Sequence, residues 1–364
     1  MGYDLKEIYY SFTADGSFAD ASVFGSGHIH DTYRIQTSEE GKDDYILQRI
    51  NNNVFRNIPE LQNNIERVTK HIHNKLAAIS GADPKRECLM IIPAQNGKSW
   101  LEDKDGNYWR MFVFIRNHRS YDIVDTTDKA FEGGKAIGRF QAFLADLPGK
   151  SLYETIPSFH DLDYRIDSFK DRLEKDPVGR VKETIRETDF ILNRAEKMRI
   201  IQKLGREGKI PVRITHNDTK FNNILFDENG KSLCIIDLDT VMPGYFHSDF
   251  GDAIRTGANI AAEDEKDLSK IKLDVEIFRS YARGYLSETK NTLNAIEKEN
   301  LALTPLVMTY EQALRFLTDF IDGDRYYRIH HKLHNLQRTR AQIRMLESLE
   351  EHFGEMQEII WELL

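Results

Sequence analysis

Three polar side chains in one short part of the chain have the types and spacing to do chemistry. His216-Asn217-Asp218-Thr219-Lys220-Phe221-Asn222-Asn223 sets an aspartate and, five residues on, an amide. A second aspartate, Asp237 in Ile235-Ile236-Asp237-Leu238-Asp239, follows fourteen residues after the amide. A carboxylate at Asp218 can orient and deprotonate an attacking hydroxyl. The amide oxygen of Asn223 and the carboxylate of Asp237 can share a magnesium ion that bridges phosphates. Order and spacing therefore suit phosphoryl transfer from ATP. An isolated Asp-x4-Asn loop is more often plain turn chemistry, because these side chains satisfy their own backbone. The second carboxylate, on the far arm of a hairpin, turns the reading toward a kinase-type site.

Such groups need rigid elements to hold them. Residues 212–214 read as a strand leading in and 224–226 as a strand leading out, with Asn229-Gly230 as a hairpin turn. The apolar run 233–236 then carries Asp237 to the end of a buried strand. Upstream, strands at 21–24 and 32–36 flank Gly25-Ser26-Gly27, and 45–50 follows a polar turn. Pro59 opens a helix whose Leu61, Ile65, Val68, Ile72 and Leu76 share one face. Further strands are expected near 89–93, 99–102 and 108–116. From about residue 128 the period becomes helical, with helices expected at 181–204, 249–260, 275–287, 306–321 and 334–363. This order predicts an α+β fold of two lobes like a protein kinase, strand-rich over 1–120 and mostly helical over 121–364.

The catalytic segment resembles that of the aminoglycoside-phosphotransferase and choline-kinase-like superfamily, whose pattern is His-Gly-Asp-x4-Asn followed by Ile-Asp. Gly25 to Tyr33, Tyr45 to Asn51, Arg139 to Asp146, Asp237 to Gly244 and Arg315 to Asp324 are similar to the N-acetylhexosamine 1-kinases within it. The likeness runs from about residue 20 to residue 345. It implies Asp218 as general base, Asn223 and Asp237 as metal ligands, and His216 and Asp249 as structural support for the loop. Asn217 stands where protein kinases carry an arginine, and no long activation segment separates Asp237 from the next helix. Both departures favour a small-molecule kinase that needs no switching. Asp239 is open between a second metal or substrate contact and a turn cap, and Lys220 between the transferring phosphoryl and plain surface.

The glycine turn Gly25-Ser26-Gly27 is placed to bring backbone amides to phosphate oxygens. His28 and His30 beside it could touch phosphate or substrate, or cap the loop. Arg49 stands where a protein kinase has its ATP-binding lysine, and a guanidinium fork can bridge two phosphate oxygens. Glu66 is its expected partner, with Glu60 as the other candidate. For the acceptor, the resemblance points to Arg315, Asp319 and Tyr326 as substrate contacts; spacing alone would read Arg315 and Asp319 as a surface ion pair.

Among 364 residues, 59 acidic and 50 basic give a net charge of −9, which disfavours nucleic acid and anionic membranes as partners. Cys88 and Cys234 both lie in apolar runs and read as buried free thiols. No apolar run reaches the ~20 residues of a membrane span, so a cytoplasmic protein, monomer or weak dimer, is expected. The leading expectation is an ATP- and magnesium-dependent kinase of the anomeric hydroxyl of GlcNAc or GalNAc. The alternatives are a kinase of another small alcohol or amine (homoserine, methylthioribose, choline or an aminoglycoside) and a nucleotide-binding pseudokinase scaffold.

Overall fold

The computed structural model describes residues 3–25 and 29–364. A short helix, α1 (Leu5–Tyr10), precedes β1 (Phe18–Val23), β2 (Asp31–Thr37) and β3 (Tyr45–Ile50). Then come α2 (Ile58–Ala77), α3 (Pro84–Glu87), β4 (Ile91–Ile92), β5 (Leu101–Glu102) and β6 (Tyr108–Val113). These strands form one antiparallel sheet in the order β1-β2-β3-β6-β4, with β5 also paired to β6. From Thr127 on the chain is helical apart from two small hairpin-like pairs: α4 (Thr127–Leu144), α5 (Leu162–Lys175), α6 (Ile185–Met198) and α7 (Ile200–Arg206). Next are β7 (Arg213–Thr215), β8 (Ile224–Phe226), β9 (Ser232–Ile235) and β10 (Met242–Gly244), paired β7 with β10 and β8 with β9. The chain closes with α8 (His247–Gly257), α9 (Val275–Thr289), α10 (Ala295–Glu299), α11 (Thr304–Ile321), α12 (His334–Glu351) and α13 (Phe353–Leu363). The architecture is the mixed α+β one expected, with an antiparallel sheet first and helices after.

Alternation along the strands decides which side chains meet the catalytic segment. Tyr45, Leu47, Trp109 and Met111 point to one face of the sheet and pack on Ile8, Tyr9 and Phe12 of the amino-terminal segment. Ile50 and Phe112 point to the other face, against Leu61, Ile65 and Val68 of α2. That second cluster continues into Phe140 and Leu144 of α4 and into Leu238 and Val241, next to Asp237. Apolar burial thus clamps the segment carrying the second aspartate between sheet, α2 and α4.

Several elements differ from expectation. α1 and α5 were not anticipated: α1 buries only Ile8 and Tyr9, and α5 only Leu162, Ile166 and Phe169, too few for a clear period among charged residues. The helix expected over 181–204 is a 3-10 turn followed by α6 and α7. The one expected over 334–363 breaks at His352, whose ring Nδ1 lies 2.8 Å from the Ser348 carbonyl oxygen, in competition with the backbone ladder.

Helices α4 and α9 cross with their backbones in direct contact. A methyl group at Gly134 would lie 2.1 Å from the Tyr281 carbonyl oxygen, and one at Gly284 would lie 2.0 Å from that of Phe131. Both clashes are with backbone, which cannot swing aside. Gly284→Ala is therefore expected to destabilise the fold by about 1–3 kcal/mol, the usual cost of overpacking. Urea unfolding followed by circular dichroism measures it; a variant as stable as the parent would mean the crossing can open without cost.

Candidate active site

Between β7 and the 3-10 turn Phe221–Asn223 the chain reverses at Asn217, which adopts φ 67°. Among side-chain-bearing residues, asparagine tolerates this left-handed conformation best, because its short amide can bond locally. Every polar group of Asn217 is used. Its backbone N–H donates to Asp249 Oδ1 (2.8 Å) and its Nδ2 to the Thr240 and Thr215 carbonyls (2.8 and 3.2 Å). Its Oδ1 accepts from the Thr215 and Ser248 hydroxyls, each at 2.9 Å. Asp249, fully buried on α8, also accepts the His216 N–H at 3.0 Å and the Gln141 amide of α4 at 2.7 Å. Burial pushes its carboxyl above the ordinary range despite these donors.

The turn delivers Asp218, half-buried, next to Lys220, Asn223 and Asp237. Burial alone would disfavour its charge. The Lys220 ammonium 3.0 Å away, with Arg255 farther off, outweighs it and holds the carboxyl below its usual value. Asp218 is thus ionised at neutral pH, as a proton acceptor must be. Lys220 remains about half exposed, at 45 % of its side chain. His216 receives the Asp218 N–H at Nδ1 (3.3 Å), so its Nε2 carries the proton that bonds the Ile236 carbonyl (2.9 Å). One neutral ring therefore joins the turn of Asp218 to the strand that ends at Asp237.

Asn223 donates its Nδ2 to the Asp218 carbonyl at 2.9 Å, which leaves its Oδ1 for another partner. Asp237 projects into the cleft with φ 60°. Crowding by protein, then the Asp239 and Asp218 charges, push its carboxyl up to about 7, against the pull of Arg110. An acid raised by neighbouring acids is a place where a cation is welcome. No group of three or more His, Cys, Asp or Glu forms a metal cage among the described residues. Magnesium does not need one; it is usually held by one or two protein oxygens together with phosphates and water. The oxygens of Asn223 and Asp237 fit that role.

Asp239 has a different task. Residues 238–240 form a 3-10 turn rather than an extended segment, so Asp239 does not repeat the direction of Asp237. It is buried against Arg110 of β6, which grips both its oxygens (2.7 Å for Nη2), and against His30 Nε2 at 2.7 Å. His30 Nδ1 accepts the Asn51 N–H at 3.0 Å, so the ring donates to Asp239 from Nε2. Neither a turn cap nor an open metal ligand, Asp239 ties the sheet to the catalytic segment.

This arrangement corrects the expected phosphate grip. Arg49 lies on the α1 face of the sheet, paired with Asp31 at 2.7 Å and stacked over Tyr3. It points away from the catalytic turn because its strand position is odd relative to Gln48, whose Oε1 accepts from Arg110 Nε at 2.9 Å. Glu66 is exposed on the outer side of α2, and neither it nor Glu60 pairs with Arg49. The inward face of α2 presents the uncharged Gln62 and Asn64 instead. Gly25, two residues beyond β1, has φ 77° in open space; Ser26, Gly27 and His28 lie outside the described residues. Arg110 was missed, although a lone charge within Tyr108-Trp109-Arg110-Met111-Phe112 was a signal that it faces something polar.

In the segment expected to meet the acceptor, Arg315 lies under Tyr326 and Tyr327 (5.9 and 5.8 Å to the ring centres) and beside Phe159 (5.0 Å). Its acidic neighbour is Glu311 at 3.8 Å, not Asp319. Asp319 is corrected to a structural role: it accepts the backbone N–H groups of Arg325, Tyr326 and Tyr327 (2.8–3.0 Å) and the Asn335 amide. It fixes the loop that carries Tyr326, which is 60 % exposed, and has no capacity left for a ligand. His160 and Arg165 join Glu311 and Arg315 in the same cluster, both missed because a single His or Arg in a loop or helix carries no spacing signal.

Arg110→Met should leave Asp239 buried with a single partner and cost about 3–5 kcal/mol of stability. Asp239 is held well below the ordinary range, so its contribution is present above its unfolded value of ~3.9 and is lost as pH falls further. The parent's advantage over the variant should therefore hold from pH 8 to 5 and shrink below about pH 4. Denaturant titrations across that range check it; a pH-independent difference would mean that packing, not charge, is what Arg110 supplies.

Residues 20–287 match the model of the phosphotransferase enzyme family (APH). The fold resembles that of an aminoglycoside phosphotransferase from Alicyclobacillus acidocaldarius subsp. acidocaldarius, with 9 % identity and a TM-score of 0.61 over 96 % of this chain and 94 % of that one. An amicoumacin kinase in complex with AMP-PNP, Ca2+ and Ami is similar over 94 % and 93 % of the two chains, with 15 % identity and a TM-score of 0.59. Choline kinase from Cryptosporidium parvum Iowa II covers 92 % of this chain and 90 % of its own, at 14 % identity and a TM-score of 0.54. At such identities the solved structures speak for the fold; the family rests on the match across most of the sequence and on the catalytic turn described above. The chain belongs to the phosphotransferase enzyme family.

Proposed function

We propose that the protein is an ATP-dependent small-molecule kinase whose acceptor is the anomeric hydroxyl of an N-acetylhexosamine, GlcNAc or GalNAc. Asp218 is ionised and takes the acceptor's O–H proton as its oxygen attacks the γ-phosphorus and the bond to ADP breaks. Asn223 Oδ1 and Asp237 would hold magnesium, which neutralises charge on the phosphates. Lys220 faces Asp218 from the open side and is placed for the transferring phosphoryl group. Arg110, Asp239 and His30 keep the metal-side aspartate in register with the sheet.

The observation that favours a neutral sugar over a cationic acceptor is the charge of the acceptor cluster. Arg315, Arg165 and His160 surround one carboxylate, Glu311, and two tyrosines. His160 is raised in pKa by Glu311 against burial, so the cluster carries a surplus of fixed positive charge. Choline, an ethanolamine or an aminoglycoside would bring like charge to it. A sugar with hydroxyls, an acetamido group and an apolar face suits a guanidinium ringed by Phe159, Tyr326 and Tyr327. The resemblance of Arg315 to Asp324 to the N-acetylhexosamine 1-kinases supports the same acceptor, and the greater acidity of an anomeric hydroxyl makes its activation by a carboxylate easier.

Phosphorus NMR on reactions with GlcNAc, GalNAc, choline, homoserine and an aminoglycoside tests the acceptor. A product whose phosphorus couples to the anomeric proton is expected from at least one of the two sugars. Coupling to two C6 protons, or turnover of choline alone, would overturn the acceptor while leaving the kinase. Asp218→Asn is expected to lower turnover about 10²–10⁴-fold with nucleotide binding kept; turnover within about threefold of the parent would remove Asp218 from its role. Asp237→Ala should abolish magnesium-dependent activity, with excess magnesium a poor rescue. A parent enzyme that works with all divalent ions chelated would exclude this mechanism.

A further inference from the structure

We infer that His160 is a positioning residue for phosphoryl transfer: a doubly donating imidazolium that ties the catalytic turn to the acceptor pocket. The inference rests on the kinase reading above and extends it to a residue outside the catalytic motif.

His160 stands in the loop before α5, with Nδ1 2.8 Å from Glu311 Oε1 and Nε2 3.0 Å from the Asn217 carbonyl oxygen. Both neighbours can only accept. A neutral imidazole has one N–H, so it would turn a lone pair toward one of these oxygens; a ring that satisfies both carries two protons and a charge. The charges that face it come from three helices. Glu311 and Arg315 project from α11, Arg165 from α5 and His247 from α8. Burial and the Arg315 charge oppose protonation, while the Glu311 charge and hydrogen bond favour it and prevail. His247 is pushed down to about 4 by burial and then by His160, so it remains neutral and adds no competing cation.

The bond to Asn217 matters because of which peptide it holds. The plane joining Asn217 to Asp218 is gripped at both ends by histidines: His160 donates to its carbonyl, and its N–H donates to His216 Nδ1. That plane follows the left-handed residue and sets where the Asp218 carboxylate starts. Glu311 Oε1 serves His160, whereas its Oε2 has no hydrogen-bond partner among the described residues although the residue is 1 % exposed. The same carboxylate lies 3.8 Å from Arg315. An acceptor that engages Arg315 thereby changes the field on Glu311 and His160, and the hydrogen bond transmits it to the turn of Asp218.

His160→Gln and Glu311→Gln test this, with the nitrogen-15 spectrum of the His160 ring in the parent. His160→Gln should lower kcat about 10–100-fold, the scale of a displaced reacting group, while KM for ATP stays within about twofold. The parent's kcat should fall at alkaline pH as the imidazolium loses its proton. Glu311→Gln removes the charge that raises the ring, so that alkaline limb should move to lower pH; in His160→Gln it should vanish. The ring of the parent should show two N–H protons at neutral pH. An unmoved limb in Glu311→Gln, an unchanged rate and profile in His160→Gln, or a single ring N–H would overturn the inference. Should His160→Gln not fold, the Glu311→Gln profile and the ring spectrum decide. The spectrum needs no substrate, so a neutral ring in an active kinase sinks only this inference, and an inactive parent with no acceptor sinks the kinase reading.

Discussion

One left-handed residue governs the site. Asn217 turns the chain so that Asp218 faces the cleft, and a non-glycine residue at φ 67° persists only where its surroundings over-determine it. Asp249 holds its amide, Thr240, Thr215 and Ser248 hold its side chain, and His160 holds its carbonyl. These partners come from α8, β7, the segment after Asp237 and the loop before α5. The glycine crossing of α4 and α9 belongs to the same construction, because Gln141 on α4 bonds Asp249 and is itself bonded by Tyr285 on α9. Helix packing distant from the chemistry thus fixes the height of the brace.

A second constraint is electrostatic. Asp218, Asp237 and Asp239 crowd together, and each is managed differently. Asp218 is ionised by Lys220, Asp239 is neutralised by Arg110 and hydrogen-bonded by His30, and Asp237 is left for a cation from outside. Burying an unpaired carboxylate is expensive. The protein meets that cost for the two it needs fixed, and leaves Asp237 exposed, its carboxyl raised by the acids beside it.

The catalytic turn and the hairpin of β8 and β9 were legible in the sequence, because each rests on spacing within a few dozen residues; the brace at Asp249 came from the family resemblance. β3 was found at its correct bounds since its apolar alternation is clean. What failed was transfer of a position between folds: Arg49 sits one residue away from the cleft-facing Gln48, and a shift of one residue in a strand reverses the face. The ion pair Arg110–Asp239 spans 129 positions, and no local pattern announces such a partnership. Asp319 was expected to meet substrate because its segment resembles the N-acetylhexosamine 1-kinases; only the fold reveals three backbone amides converging on it.

The pairing of Arg110 with Asp239 has a mechanical consequence. It joins a central strand of the sheet to the residue two beyond the metal-side aspartate, with both partners buried. A hinge that swung the sheet away from the helices would have to part these charges and expose each unpaired. Wide opening is therefore a costly excursion, and exchange of nucleotide and product falls to smaller motions that leave this tie closed. The sheet and the catalytic hairpin behave as one lever, not two.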